Sequence, residues 1–157
     1  MPTDTTLAVA VEPPTAPDVV ALLAEHLDEM HATSPPESVH ALDLSRLQAD
    51  DVVFVTARDD DGRLLGCGAL KLHVGLAEIK SMRTSAAARG RGVAAAVLVF
   101  LLDLARAHGR AQVSLETGVE DHFAPARRLY ERHGFTPCAP FADYTDDPLS
   151  AYFTRAL

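Results

Sequence analysis

The stretch from Glu78 to Ala94 constrains this chain more than any other. A strand-like run, EIKSMRT, is followed by the small-residue segment Ser85-Ala86-Ala87-Ala88. Arg89-Gly90-Arg91-Gly92-Val93-Ala94 then feeds a long apolar run to Ala107. Glycines at a strand-to-helix junction let the backbone approach a ligand closely, and a helix start offers unpaired N–H groups at a positive dipole end. Two arginines in such a turn add planar, permanently charged donors suited to phosphate. The chain is therefore expected to hold a phosphate-bearing molecule at this turn.

Around that junction the pattern is mixed. Leu7 to Val11 reads as a first strand, closed by Pro13-Pro14-Thr15-Ala16-Pro17. Asp18 to His31 carries apolar residues at helical spacing with an acid in its first turn. The prolines of 33–40 exclude regular structure there, and 43–48 is expected to form a short helix. Val52 to Arg58 is β-branched and is followed by the hairpin signal Asp59-Asp60-Asp61-Gly62, with a partner strand over 63–73. In that partner, Gly66 and Gly68 mark a bulge or a close approach. A third strand covers Ala77 to Thr84, a long helix covers 92–108 with Gly109 as its stop, and Gln112 to Thr117 is a further strand. Strand–helix–strand implies one right-handed crossover and a parallel pair. A helix over 122–133 ends at Gly134, and a last strand lies near Ala151 to Arg155. The expected class is α+β: a mixed, mostly antiparallel sheet of six to seven strands with one parallel crossover, flanked by about four helices.

A chain of 157 residues with no linker or repeat is expected to be one domain, its first six residues a loose terminus. The net charge of −8 speaks against general nucleic-acid binding and makes the cluster Arg83, Arg89 and Arg91 conspicuous. Cys67 and Cys138 stand far apart, which suggests a reducing compartment and no zinc framework. The seven histidines show no metal-ligand spacing, so no metal is expected. No membrane-length apolar run and no secretory signal are visible, which makes a cytoplasmic protein, without membrane partners, the expectation. A homodimer is left open.

The order of elements and two motifs resemble the GCN5-related N-acetyltransferase (GNAT) superfamily. Arg89-Gly90-Arg91-Gly92-Val93-Ala94 is similar to its acyl-CoA motif, Gln/Arg-x-x-Gly-x-Gly/Ala, at all three defined positions. Downstream, Ala126-Arg127-Arg128-Leu129-Tyr130-Glu131-Arg132-His133-Gly134-Phe135 resembles the family's A-x-x-L-Y-x-x-x-G-F helix. A lone glycine motif would be weak, but two in order with a strand between them are not. Neither a P-loop nor a dinucleotide fingerprint is present.

The resemblance implies acetyl-CoA as cosubstrate, without a metal, and a small-molecule, amino-acid or peptide amine as acceptor. It implies that backbone groups of Met82, Arg83 and Thr84 pair with the pantetheine arm, and that the N–H groups of Arg89, Gly90, Arg91, Gly92, Val93 and Ala94 cradle the pyrophosphate. Members often carry an asparagine three residues before the helix alanine. Here that position is Phe123, so either the contact is lost or the pocket wall is apolar. Tyr130 matches the family's tyrosine as proton donor to the thiolate; its alternative is a core tyrosine. Glu78 stands eleven residues before Arg89, where histone-type members carry a base glutamate in the same A-E-I context. Its alternative is a strand glutamate paired with Lys80 on the same face.

The acceptor side is expected to draw on His31, Ser34, Glu37 and His40, on Glu116 and Thr117, and on Asp143, Tyr144 and Asp147. Two other functions remain compatible with the sequence: a non-catalytic CoA-binding module of the same fold, and a transferase of a larger acyl group.

Overall fold

The computed structural model describes residues 7–33 and 44–157. Ser34, Glu37 and His40 lie outside the described residues, as does the proline-rich segment around them. The elements run β1 (Ala8–Val11), α1 (Pro17–Thr33), α2 (Leu44–Leu47), β2 (Val52–Arg58), β3 (Leu64–Leu72), β4 (Ala77–Thr84), α3 (Val93–Ala107), β5 (Gln112–Gly118), α4 (Ala124–Arg132), β6 (Thr136–Pro137) and β7 (Ser150–Ala156). Short 3₁₀ turns at Ala86–Ala88 and Asp121–Phe123 precede α3 and α4. Seven strands form one sheet in the order β1-β2-β3-β4-β5-β7-β6. Every pairing is antiparallel except β4 with β5, the crossover expected from strand–helix–strand.

Alternation along the strands assigns each residue a face. Ala77 and Ile79 of β4 and Val113 and Leu115 of β5 pack with Val97, Leu98, Leu101 and Leu129 in the larger core, on the α3 and α4 side. Phe54, Cys67 and Ala69 pack with Val19, Leu22 and Leu47, on the α1 and α2 side. Helix α3 lies close on β3, and Gly66 and Gly68 are the reason. A Cβ at Gly66 would stand 2.8 Å from the Val93 side chain, and one at Gly68 would stand 2.9 Å from Val97. Both glycines therefore mark a close approach, and a bulge falls between Cys67 and Ala69 as well.

The bulge sits opposite Ser81, which takes a left-handed φ of 55°. It adds a residue to β4, and the extra residue changes which face each side chain meets. Glu78 and Lys80 point to the α1 side. Beyond the bulge Met82 turns toward the α3 core and Arg83 returns to the α1 side, where it meets Glu25 at 3.0 Å. No described helix is long and apolar enough to cross a membrane.

Candidate active site

The parallel ladder between β4 and β5 covers Ala77–Ile79 against Val113–Leu115 and stops there. Strand β4 continues to Thr84 and β5 to Gly118, so the two part beyond Ile79 and Leu115.

On the α3 side of this opening lies a cleft of about 560 Å³. Its lining includes Met82, Arg83, Thr84, Arg89, Gly90, Gly92, Val93, Ala94, Phe123 and Tyr130. Every residue expected at the cofactor is thus gathered here except Arg91. Both arginines of the turn are solvent-exposed. Ala88, Ala95, His122, Pro125, Ala126, Leu129 and Arg132 complete the wall. They were not singled out as cofactor residues, although Ala126 and Leu129 belong to the second motif.

Local geometry explains the turn. Gly90 and Gly92 have φ of 79° and 77°, a region that costs an L side chain about 1–2 kcal/mol. An added Cβ on either would meet nothing within 4 Å, so open space lies above the turn. Gly92 is the N-cap of α3, and the first helical bond runs from Ala96 N–H to the Gly92 carbonyl at 3.1 Å. The N–H groups of Val93, Ala94 and Ala95 precede that ladder. Small residues, a positive dipole end and Arg89 at one end, with an apolar wall at the other, fit an elongated molecule with a phosphate head.

The opposite wall is set by α4. Arg127 pins the segment before it, donating from Nη1 to the carbonyls of Gly118 at 2.6 Å and Glu120 at 3.0 Å. Phe123 lies over Gly118 as part of the apolar wall. Tyr130 is 6% exposed, packs edge-on against Phe135 at 5.7 Å between centroids, and still lines the cleft. Burial, with the Glu116 carboxylate as a second cause, raises its hydroxyl well above the ordinary phenol range.

On the α1 side a polar cluster surrounds Glu78, which is 2% exposed. His73 Nε2 lies 2.8 Å from Oε1. Lys80 Nζ donates to Oε2 at 3.1 Å, and the Tyr144 hydroxyl donates to the same oxygen at 2.6 Å. Lys80 also donates to the Tyr144 oxygen at 2.7 Å. Of the two sequence alternatives for Glu78, the pairing with Lys80 is present, and the residue is buried where the strands begin to part. Burial first, and Glu78 second, push the Tyr144 hydroxyl far up, so it stays protonated.

Glu116 follows Leu115, the last β5 residue paired with β4. It accepts from Ser150 Oγ at 2.7 Å, and its charge raises both Tyr130 and Tyr144. It thus stands within electrostatic reach of the cleft on one side and the polar cluster on the other. Tyr144 is held by aromatic contacts with Phe141 and Tyr152, whose centroids lie 5.1 and 5.6 Å away.

Thr117 and Asp143 are not drawn into this cluster. Thr117 alternates to the other face of β5. Asp143 is exposed, and Asp147 accepts the Leu149 N–H within its own loop at 2.9 Å. His31 falls within α1. His73 was not singled out by sequence; its position in the hairpin before Glu78 is the signal that could have found it. Among the described residues, no group of three or more His, Cys, Asp or Glu side chains could hold a metal ion.

A splayed parallel pair with a glycine turn entering the crossover helix defines an acyltransferase-type fold. The comparisons make the family specific. The model of the acetyltransferase (GNAT) family matches residues 19–135. The uncharacterized N-acetyltransferase YsnE of Bacillus subtilis is 47% identical over 95% of this chain and 99% of its own. The IAA acetyltransferase of Azospirillum brasilense is 38% identical over 89% of this chain and 92% of its own. A solved structure described as an acyl-CoA N-acyltransferase of Klebsiella pneumoniae superposes with a TM-score of 0.80 at 28% identity, covering 98% of this chain and 99% of that one. The chain belongs to the GNAT family of acetyltransferases.

Proposed function

We propose that this protein transfers the acetyl group of acetyl-CoA to a primary amine of a small molecule, amino acid or peptide, by direct attack with both substrates bound, and that the whole chain works as one unit. The carrying observation is the cleft that runs from the glycine turn to Tyr130 and reaches the β4–β5 opening.

In this reading the turn residues Arg89 to Ala94 hold the pyrophosphate, and the unpaired edge of β4 from Met82 to Thr84 holds the arm behind it. When bound, the thioester supplies an acyl carbon activated toward attack. Tyr130 keeps its proton at Oη, since burial and Glu116 raise the group, and delivers it to the departing sulfur. A backbone N–H near Met82 meets the oxyanion.

An alkyl amine has a pKa near ~10.4, so baring it at neutral pH costs roughly 4–5 kcal/mol. The carboxylates of Glu116 and Glu78 on the acceptor side offset this: Glu116 attracts the ammonium, and Glu78 serves as the base. Lys80 and Tyr144 donate to Glu78 and His73 Nε2 lies beside it, so a proton reaches it through one of these neighbours. The test is thiol release from acetyl-CoA across an amine panel. Turnover with at least one amine is expected; cofactor binding without turnover for any amine points instead to a non-catalytic module. Competition by longer acyl-CoAs checks the acetyl preference.

A further inference from the structure

We infer that Tyr144, Glu78 and His73 form a proton relay that carries the acceptor's proton from the reacting opening to solvent. The inference rests on the amine-acetylation reading above. Three short contacts run in series: Lys80 Nζ to Tyr144 Oη at 2.7 Å, Tyr144 Oη to Glu78 Oε2 at 2.6 Å, and Glu78 Oε1 to His73 Nε2 at 2.8 Å. Glu78 is the buried middle of the series and partly exposed groups flank it. The Glu78 side chain is 3% exposed and that of His73 21%, so the far end of the series reaches water.

Each group has a defined part. Lys80 donates to the phenol oxygen, which turns the hydroxyl's own proton toward Glu78. The ammonium N–H bond breaks and its proton goes to Tyr144 Oη as the hydroxyl proton moves to Glu78. The amine keeps the electron pair that attacks the acyl carbon. The Glu78 carboxyl turns its proton toward His73, whose ring, in its Nδ1–H form, takes it at Nε2 and gives the Nδ1 proton to water; exchange with water then restores that tautomer. Histidine is the side chain that makes such exchanges most readily near neutrality. At the end the phenol, carboxylate and neutral ring are restored, with no oxidant or reductant.

The charged and titratable groups facing the relay come from every element around it. Lys71 of β3 is in register with Glu78, Lys80 lies on β4, and Glu116 and Tyr152 come from β5 and β7. Arg110 donates from Nε to the His73 carbonyl at 2.9 Å, which fixes the hairpin that carries the ring. Tyr144 reaches Glu78 from 66 residues away, so the relay closes only when the C-terminal loop is docked.

Tyr144→Phe keeps the aromatic packing and removes the hydroxyl. With the best amine of the panel, kcat is expected to fall about tenfold or more, within the range for lost proton transfer. Acetyl-CoA affinity is unchanged, and the acid limb of the kcat–pH profile moves to higher pH. His73→Gln keeps a donor to Glu78 but cannot carry a proton; its kcat falls and rises again with added imidazole. Four results would overturn the relay: wild-type kcat and pH profile in Tyr144→Phe; wild-type kcat in His73→Gln; a His73→Gln loss that imidazole does not relieve; or loss of the acid limb in Glu116→Gln with that limb intact in Tyr144→Phe. If the wild-type protein releases no thiol with any amine, the proposed function fails and the relay with it. Wild-type turnover alongside an unaffected Tyr144→Phe removes the relay alone.

Discussion

The ring of Phe123 rests on the α-carbon of Gly118, so close that a methyl group added at Gly118 would overlap the ring carbons. The last residue of β5 and the residue before α4 thereby fix one wall of the cleft together. Gly118→Ala must swing the whole ring away, which is expected to destabilise the fold by about 1–3 kcal/mol and weaken acetyl-CoA binding. Adding Phe123→Ala in the same chain recovers part of the stability. Chemical denaturation of the two single variants and the double variant measures the coupling, and additive losses would contradict the contact.

Tyr130→Phe is expected to lower kcat roughly tenfold or more with acetyl-CoA affinity unchanged. Because burial and Glu116 hold the hydroxyl protonated far above neutrality, Tyr130 contributes no alkaline limb to the kcat–pH profile near pH 8–9. Steady-state kinetics across pH checks both statements; undiminished turnover in the variant removes Tyr130 from the reaction.

At Gly92 the backbone and the ligand make separable demands. Alanine there pays the left-handed φ, about 1–2 kcal/mol, yet meets no atom of the protein. Gly92→Ala should therefore fold, with a modestly lower Tm and acetyl-CoA affinity weakened at least about tenfold, because the methyl group enters the space assigned to phosphate. Calorimetric titration with CoA decides the matter. Wild-type affinity in a folded variant would move the pyrophosphate elsewhere.

Arg58 joins β2 to the chain before and at the start of α1. Its guanidinium donates to Glu12 at 2.8 and 3.0 Å, to Asp18 at 2.7 and 3.2 Å, and to the Gly62 carbonyl at 2.9 Å. These bonds hold both carboxyls below their ordinary range. Depressed carboxylates contribute fully above their unfolded pKa values, near ~4, and lose that contribution as pH falls through the lowered folded values. Arg58→Met should cost about 1–3 kcal/mol at pH 7, with the smaller share from half-exposed Asp18. The Tm difference from wild type should shrink on acidification below pH ~4, and a constant difference down to pH 2 would refute the linkage.

The sheet, its single crossover and the glycine turn were legible because they rest on local patterns: alternation, helical spacing, and glycines at a junction. The Glu78–Lys80 pair was legible for the same reason, since residues two apart on a strand share a face. The bulge at Ser81 was not. Serine carries no left-handed preference that would announce a φ of 55°, and the bulge decides that Met82 faces the α3 side while Arg83 faces Glu25. Nor was the link from Tyr144 to Glu78 legible, because nothing local in either segment specifies a partner 66 positions away. Phe123 was read as an ambiguous departure; its fit against Gly118 shows an apolar wall, a relation visible only once β5 and α4 are joined.

The parting of β4 and β5 beyond Ile79 and Leu115 has an architectural consequence. The sheet acts as a partition: the cleft lined by α3 and α4 lies on one side, and the polar cluster of His73, Glu78, Lys80 and Tyr144 on the other. The cleft and the cluster share no residue, so substitutions that rebuild the Tyr144 loop leave the lining of the cleft as it is.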